Sequence, residues 1–314
     1  VVRKVNPKLL KTLQSNQARR RAKEMASRPN SQVKAQAVAT TQIPPEPQPG
    51  PKPKKICIGS IFPDCGDLSR KWLDLQLRYV KASTEVEYEH ISVVQNGKVT
   101  PFFSNNTHVI TPPQQGAKNS QAHVIGLQTL RDYFIPRAND FEHCLFIDMD
   151  AFPIRKDWYS ILSQKLAGKH EIAVALRPEN LEQRLHSSIL LARMETVPTL
   201  TWGVNKVGND LIGGTESDVH LISHQTGGKR QKSFVLLRSN KYQTHPLLCG
   251  VYYDLFYHHC CGSGRNFNMR GKPYWSHLVS TQFNVKQTID DLMANPNEFI
   301  GKLVSWEKGN YAQV

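Results

Sequence analysis

From Lys55 onward, apolar runs of four to eight residues alternate with helix-length amphipathic stretches. This alternation calls for an α/β domain, in which short buried strands form a sheet and the helices cover its faces. Lys55 to Phe62 (KICIGSIF) reads as a buried first strand ending in a Gly-Ser loop. A helix follows over Ser69 to Ala82, with Leu73, Leu77 and Val80 at i, i+4 and i+7 and Asp67 placed to cap it. Tyr88 to Val94 reads as a strand, and residues 119–134 as a helix whose apolar face carries Leu127, Leu130 and Phe134. His123 shares that face and is expected to be a satisfied core histidine. Cys144 to Ile147 is a short buried strand, and Ile172 to Leu176, Ser188 to Ala192 and Phe234 to Leu237 supply further strands.

The formal charge of +14 is unevenly spread. Residues 1–55 hold thirteen Lys or Arg against two Glu, so the remainder is nearly balanced. That pattern is a basic arm on an ordinary domain and excludes a uniformly basic nucleic-acid-binding domain. Residues 43–55 (IPPEPQPGPKPKK) have the proline spacing of an extended linker, which places a boundary at Lys54. The division is therefore a flexible arm and linker over 1–54 and one α/β domain over 55–314. The arm suits docking on an anionic surface. No apolar run approaches the ~20 residues of a membrane-spanning helix. The six cysteines show no C-x-x-C pair, so a reducing, cytoplasmic setting is expected, peripheral to a membrane if the arm docks on one.

The chemistry concentrates in FIDMDAFPI, residues 146–154. A buried strand runs straight into Asp148-Met149-Asp150. Ligands of open α/β sheets sit beyond the carboxyl ends of the strands. Carboxylates at i and i+2 of an extended segment point to one side, about 6.6 Å apart along the chain. Two such oxygens suit a hard divalent cation, Mg²⁺ or Mn²⁺, of the kind that bridges a carboxylate to a diphosphate.

On these residues the chain resembles the metal-dependent GT-A glycosyltransferases, across roughly residues 55–280. The strand-Asp-x-Asp run, followed by Ala151-Phe152-Pro153-Ile154 and Trp158, is similar to the corresponding segment of bacterial and viral nucleotide-sugar transferases. The resemblance implies a Rossmann-like GT-A domain, with Asp150 on the metal and Asp148 on metal or ribose. His259-x-x-Gly262 resembles the H-x-x-G segment that completes such metal sites, with His258 as the rival ligand. Lys272-Pro273-Tyr274-Trp275 resembles the basic run that meets the diphosphate, which assigns Lys272 to the donor. Arg177 to Asn180 and His186-Ser187-Ser188 resemble the region that contacts donor sugar or acceptor. Glu179 and Asp210 are thereby the candidate catalytic carboxylates. Gly59 and Ser60, after the first strand, are expected to hold base and ribose.

The resemblance thus implies a hexosyltransferase taking a UDP- or GDP-sugar with Mn²⁺ or Mg²⁺, and delivering the sugar to a hydroxyl on a glycan, lipid-linked, protein or nucleic-acid acceptor. A sugar nucleotidyltransferase is the rival enzyme, weakened by the lack of Lys or Arg between Gly59 and Gly66. The rival from another class is a nucleic-acid-binding protein that works through its basic arm. Deleting residues 1–52 is expected to leave the melting temperature unchanged and to weaken binding to anionic vesicles at low salt, an effect that shrinks as salt screens it. Equal vesicle binding by both forms would show a merely solvated tail.

Overall fold

The structure is a computed structural model that describes residues 55–63, 66–96, 99–117, 119–168, 170–177, 184–204, 210–213, 234–239, 250–260, 285–304 and 311–314. The arm expected over 1–54 lies outside the described residues. Twelve strands and six α-helices are described. In chain order they begin with β1 (Lys55–Pro63), α1 (Asp67–Ser83), β2 (Glu87–Gln95), α2 (Pro101–Asn106), β3 (His108–Ile110) and α3 (Asn119–Phe134). There follow β4 (His143–Asp148), β5 (Ala151–Pro153), α4 (Trp158–Leu166), β6 (Ile172–Arg177) and β7 (Arg184–Arg193). The rest are β8 (Thr201–Val204), β9 (Asp210–Gly213), β10 (Phe234–Arg238), β11 (Gly250–Tyr252), β12 (Phe256–His258), α5 (Val285–Ala294) and α6 (Pro296–Gly301).

Seven strands form the central sheet in the order β10-β6-β7-β4-β1-β2-β3. The sheet is mainly parallel: only β7 runs against its neighbours β4 and β6. Read from β3, the order 3-2-1-4 is that of one half of a doubly wound nucleotide-binding sheet. The chain winds outward from β1 through β2 to β3, then returns to the other side of β1 as β4. This change of direction opens a crevice between the carboxyl ends of β1 and β4, the place where such sheets take ligands.

Side-chain alternation along the strands builds two separate cores. Cys57, Cys144, Phe146, Leu190 and Val174 face α3, against Leu127, Leu130 and Phe134. Ile56, Ile58, Leu145, Ile147, Ile189 and Leu191 face α4, against Trp158 and Leu162. Every residue in that second set is fully buried, so each contributes roughly 1.5–3 kcal/mol on transfer from water. A third core joins α1 to α5, α6 and the last residues, through Trp72, Tyr79, Phe152, Leu292, Leu303 and Tyr311.

Three local expectations change. The strand β1 does not stop at a Gly-Ser loop but continues to Pro63, with Gly59 and Ser60 inside it. Gly59 is required there by packing, since a Cβ would lie 2.8 Å from Leu130 Cδ2 and 3.1 Å from Phe134 Cζ. Asp67 opens α1 without capping it; the preceding residue is Gly66 at φ 56°, with no side-chain cap. Leu77 is only partly buried, while Trp72, Gln76 and Tyr79 take the covered face of α1. Gly59→Val is expected to overpack the α3 side of the sheet and cost about 1–3 kcal/mol, read as a lower urea midpoint at unchanged slope.

Candidate functional site

Four elements deliver side chains to the crevice. Asp148 is the last residue of β4 and pairs in register with Ile61 of β1. Asp150 sits in the turn between β4 and β5 and is nearly buried. The short strand β5 pairs antiparallel with β12, which sets His258 beside Ala151, one residue beyond Asp150. The His259 amide extends the ladder by donating to the Asp150 carbonyl at 3.0 Å. From the other side α3 brings His123, whose Nε2 lies 2.7 Å from Asp148 Oδ1.

His258 Nε2 stands 3.5 Å from Asp148 Oδ2 and 3.5 Å from Asp150 Oδ1. Its other nitrogen, Nδ1, is 3.1 Å from the Cys260 sulfur. One donor atom each from Asp148, Asp150 and His258 fall within 4.8 Å of one another, and this is the one such Asp-Asp-His group among the described residues. Two oxygens and one imidazole nitrogen could hold a hard or borderline divalent ion.

The electrostatics follow from that packing. Burial alone would raise the Asp148 carboxyl, but the His123 and His258 rings outweigh it and hold the group well below the usual carboxylate range. Asp150 is likewise lowered against the pull of burial, chiefly by His258. Burial disfavours charge on His258, yet the Cys260 sulfur and the two carboxylates lift its pKa well above the ordinary imidazole value. The cluster therefore holds its carboxylates ionised and compensates them locally.

The two histidines of the HH pair differ in surroundings. His259 packs its ring 5.3 Å from the Trp72 indole, and its Nδ1 is 2.7 Å from the Tyr257 hydroxyl. Burial pushes its pKa down to about 4, against the nearby Asp150 and with some help from His258. His258 is the imidazole aimed at both carboxylates, and His259 lies behind the turn.

Of the remaining expected site residues, Glu179 and Lys272 lie outside the described residues. Asp210 opens β9, its backbone paired with Val204. Gly59 and Ser60 are buried inside β1, so the edge of that strand passes to Pro63 and the start of α1. There a cleft of ≈ 390 Å³ is lined by Pro63, Ser69, Arg70, Val94, Phe102 and Phe103, among others. The Arg70 guanidinium lies 4.7 Å from the Phe102 ring centroid along one wall.

His123 belongs to the carboxylate cluster, a correction to its expected place in the core: it is paired, but with Asp148. Its spacing with Leu127 marked the right helix face and gave no sign that the face runs out over the sheet edge. His186 is also near. β7 runs antiparallel to β4, so its amino end lies at the carboxyl edge of β4, and a register shift between Val174 and Ala175 sets His186 opposite Ala175. The His186 and His258 rings are stacked with centroids 6.2 Å apart. A bulge of this kind re-aims the side chains beside it.

No protein-family profile and no curated protein matches the chain. Among solved structures, S. aureus TarS 1-349 is similar at 13% identity over 46% of this chain and 48% of that chain, with a TM-score of 0.32. The likeness spans about half of that chain. What stands is a mixed α/β fold with a mainly parallel central sheet and an Asp-Asp-His group at its carboxyl edge. No helix among the described residues is long and apolar enough to cross a membrane.

The two kinds of buried histidine act on stability with opposite sign. His259 is neutral in the fold down to about pH 4. The unfolded chain protonates near pH 6.5, so this group's contribution is present above 6.5 and is lost by about 1.4 kcal/mol per pH unit on the way down to 4. The contribution of His258 is full below pH 6.5 and is lost as pH rises through its raised folded value. His259→Phe is therefore expected to flatten the acid limb of urea-derived stability between pH 6.5 and 4. An unchanged slope would show that His259 takes up a proton in the fold.

Proposed function

We propose that this chain is a metal-dependent glycosyltransferase that moves a sugar from a nucleoside-diphosphate donor to a hydroxyl acceptor. The observation that carries the reading is the position of Asp148, Asp150 and His258 at the switch point of a doubly wound sheet, with their donor atoms within 4.8 Å of one another. The fit to a cation is supported by the spacing. Ligands about 2.1 Å from an octahedral ion stand about 3 Å apart in cis and about 4.2 Å in trans. The 3.5 Å separations around His258 Nε2 lie in that range and are long for direct hydrogen bonds.

Asp148, Asp150 and His258 would hold the ion, Mn²⁺ or Mg²⁺. When bound, it supplies positive charge against the diphosphate oxygens on which negative charge builds as the sugar departs. The chain's own residues do the rest. His123 engages one Asp148 oxygen and leaves the other facing Asp150 and His258. The cleft beside Pro63, with its Phe102 and Phe103 wall, is of a size and apolarity that suits a nucleoside. His186 stands beside His258 at the same edge, where the sugar would lie. Glu179 and Asp210 stay proposed as catalytic carboxylates and Lys272 as a contact to the diphosphate, on the resemblance alone.

A thermal-shift screen of the full chain with UDP- and GDP-sugars, with and without Mn²⁺, tests the reading. One donor should raise the melting temperature only when Mn²⁺ is present; a ligand at a hundred times its Kd adds about 2.7 kcal/mol of stability. Asp150→Asn should abolish both that shift and sugar transfer. Near-normal transfer by Asp150→Asn would remove the metal site from the reaction. Pyrophosphate release from a nucleoside triphosphate and a sugar 1-phosphate would replace transfer by nucleotidyl chemistry.

A further inference from the structure

Gln76 is the polar exception on the covered face of α1. A glutamine four residues after Trp72 ordinarily reads as surface, yet this one is fully buried. Its Nε2 lies 2.9 Å from the Asp148 carbonyl oxygen and 2.7 Å from that of Ala151, with the Met149 carbonyl at 3.5 Å. The two amide hydrogens thus grip both ends of the turn that carries Asp148 and Asp150.

The orientation of the amide is determined by its partners. Backbone carbonyls only accept, so the NH₂ end must face the turn and Oε1 must face away. Oε1 receives the Ser60 hydroxyl at 2.7 Å and lies 3.2 Å from His90 Nε2. His90 Nε2 also stands 3.2 Å from the Ser60 hydroxyl, so it donates to Oε1 when protonated and accepts from Ser60 when bare. Burial pushes the pKa of His90 to about 4, so the ring is neutral at pH 7; its other nitrogen is Nδ1. The Thr107 hydroxyl stands 2.9 Å from that Nδ1. Ser60 and His90 come from β1 and β2, so two strands set one amide, with Thr107 against the far nitrogen of the His90 ring.

We infer that Gln76 is a positioning residue for the carboxylate turn: held by Ser60 and His90, its amide fixes Asp148 and Asp150 where they meet His258. The inference rests on the reading of that cluster as a metal site. The need for such a clamp is physical. Two ionised carboxylates two residues apart repel one another, and the turn's inward carbonyls would be buried without donors if Gln76 were absent. A ligand set works only when its supporting shell holds it, and outer partners of this kind are worth about 10- to 100-fold in metal affinity.

The test uses the full-length protein with Gln76→Met, which keeps shape and loses both donors, and Gln76→Glu, which puts an acceptor where the NH₂ was. Leu162→Ala, in the core beneath α4, is the control for general destabilisation. Hydrogen exchange over residues 147–152 and Mn²⁺ titration followed by electron paramagnetic resonance are the readouts. Both Gln76 variants should exchange faster across the turn and bind Mn²⁺ about 10- to 100-fold more weakly. Leu162→Ala should lose melting temperature without either change. Unchanged exchange at the turn in Gln76→Met, or equal effects in Leu162→Ala, would overturn the inference. A wild-type protein that ignores Mn²⁺ while Gln76→Met still loosens the turn would overturn the metal reading and leave the clamp standing. The Gln76 side-chain amide protons of the wild-type protein should be protected from solvent exchange, and free exchange there would refute the amide orientation whether or not the variants fold.

Discussion

The antiparallel pairing of β5 with β12 is the constraint on which the site depends. Without it Asp148 and Asp150 would be two carboxylates at the end of a strand, compensated by His123 alone among the described imidazoles of α3. The pairing sets His258 opposite Ala151, and the His259 amide then closes on the Asp150 carbonyl. The same strand pair buries Phe152 against Tyr257 and Phe256 against Trp158. Aromatic packing and ligand geometry are thus one arrangement, because residues alternating along β5 and β12 face the core or the crevice.

The two edges of the sheet are built differently. At the amino edge Arg137 makes paired hydrogen bonds of 2.6 and 2.8 Å to Glu89 and lies over the Phe141 ring. Lys55 joins the same acidic residue at 3.6 Å. This charge is satisfied by its neighbours and partly open to water, so it locks the edge without inviting a ligand. At the carboxyl edge the acidic groups are largely shielded from water and, among the described residues, face imidazoles, whose charge can be given up. That difference distinguishes a structural ion-pair network from a place where a cation can enter.

Much of the architecture was legible because strand-length apolar runs and helix-length faces differ in period. β4 and the carboxylates that follow it were readable for this reason, since Cys144 to Ile147 leaves no room for a helix. The site was less legible. Whether His258 or His259 meets the carboxylates depends on the register of β12, in which Tyr257 pairs with and packs on Phe152, some hundred residues away in sequence. Gln76 and His123 were hidden for a related reason. Helical spacing marks the side of a helix that is covered, and covering by a carboxylate or a strand carbonyl leaves the same pattern as covering by leucine. Gly59 misled in the other direction, because a glycine demanded by Leu130 looks in sequence like a glycine that ends a strand.

The distance in sequence between the two halves of the β5–β12 pair has a consequence for synthesis. A growing chain presents Asp148 and Asp150 long before residues 256–258 exist, and at about 5–20 residues per second that interval lasts roughly 5–20 s. During it β1 to β4 can already pair, since all of their residues have been made, whereas β5 has yet to meet β12. The nascent domain therefore passes through a form in which the two carboxylates have His123 beside them and still lack His258. The Asp-Asp-His group is completed only once residue 258 has been made, so a polypeptide released before that point would lack it.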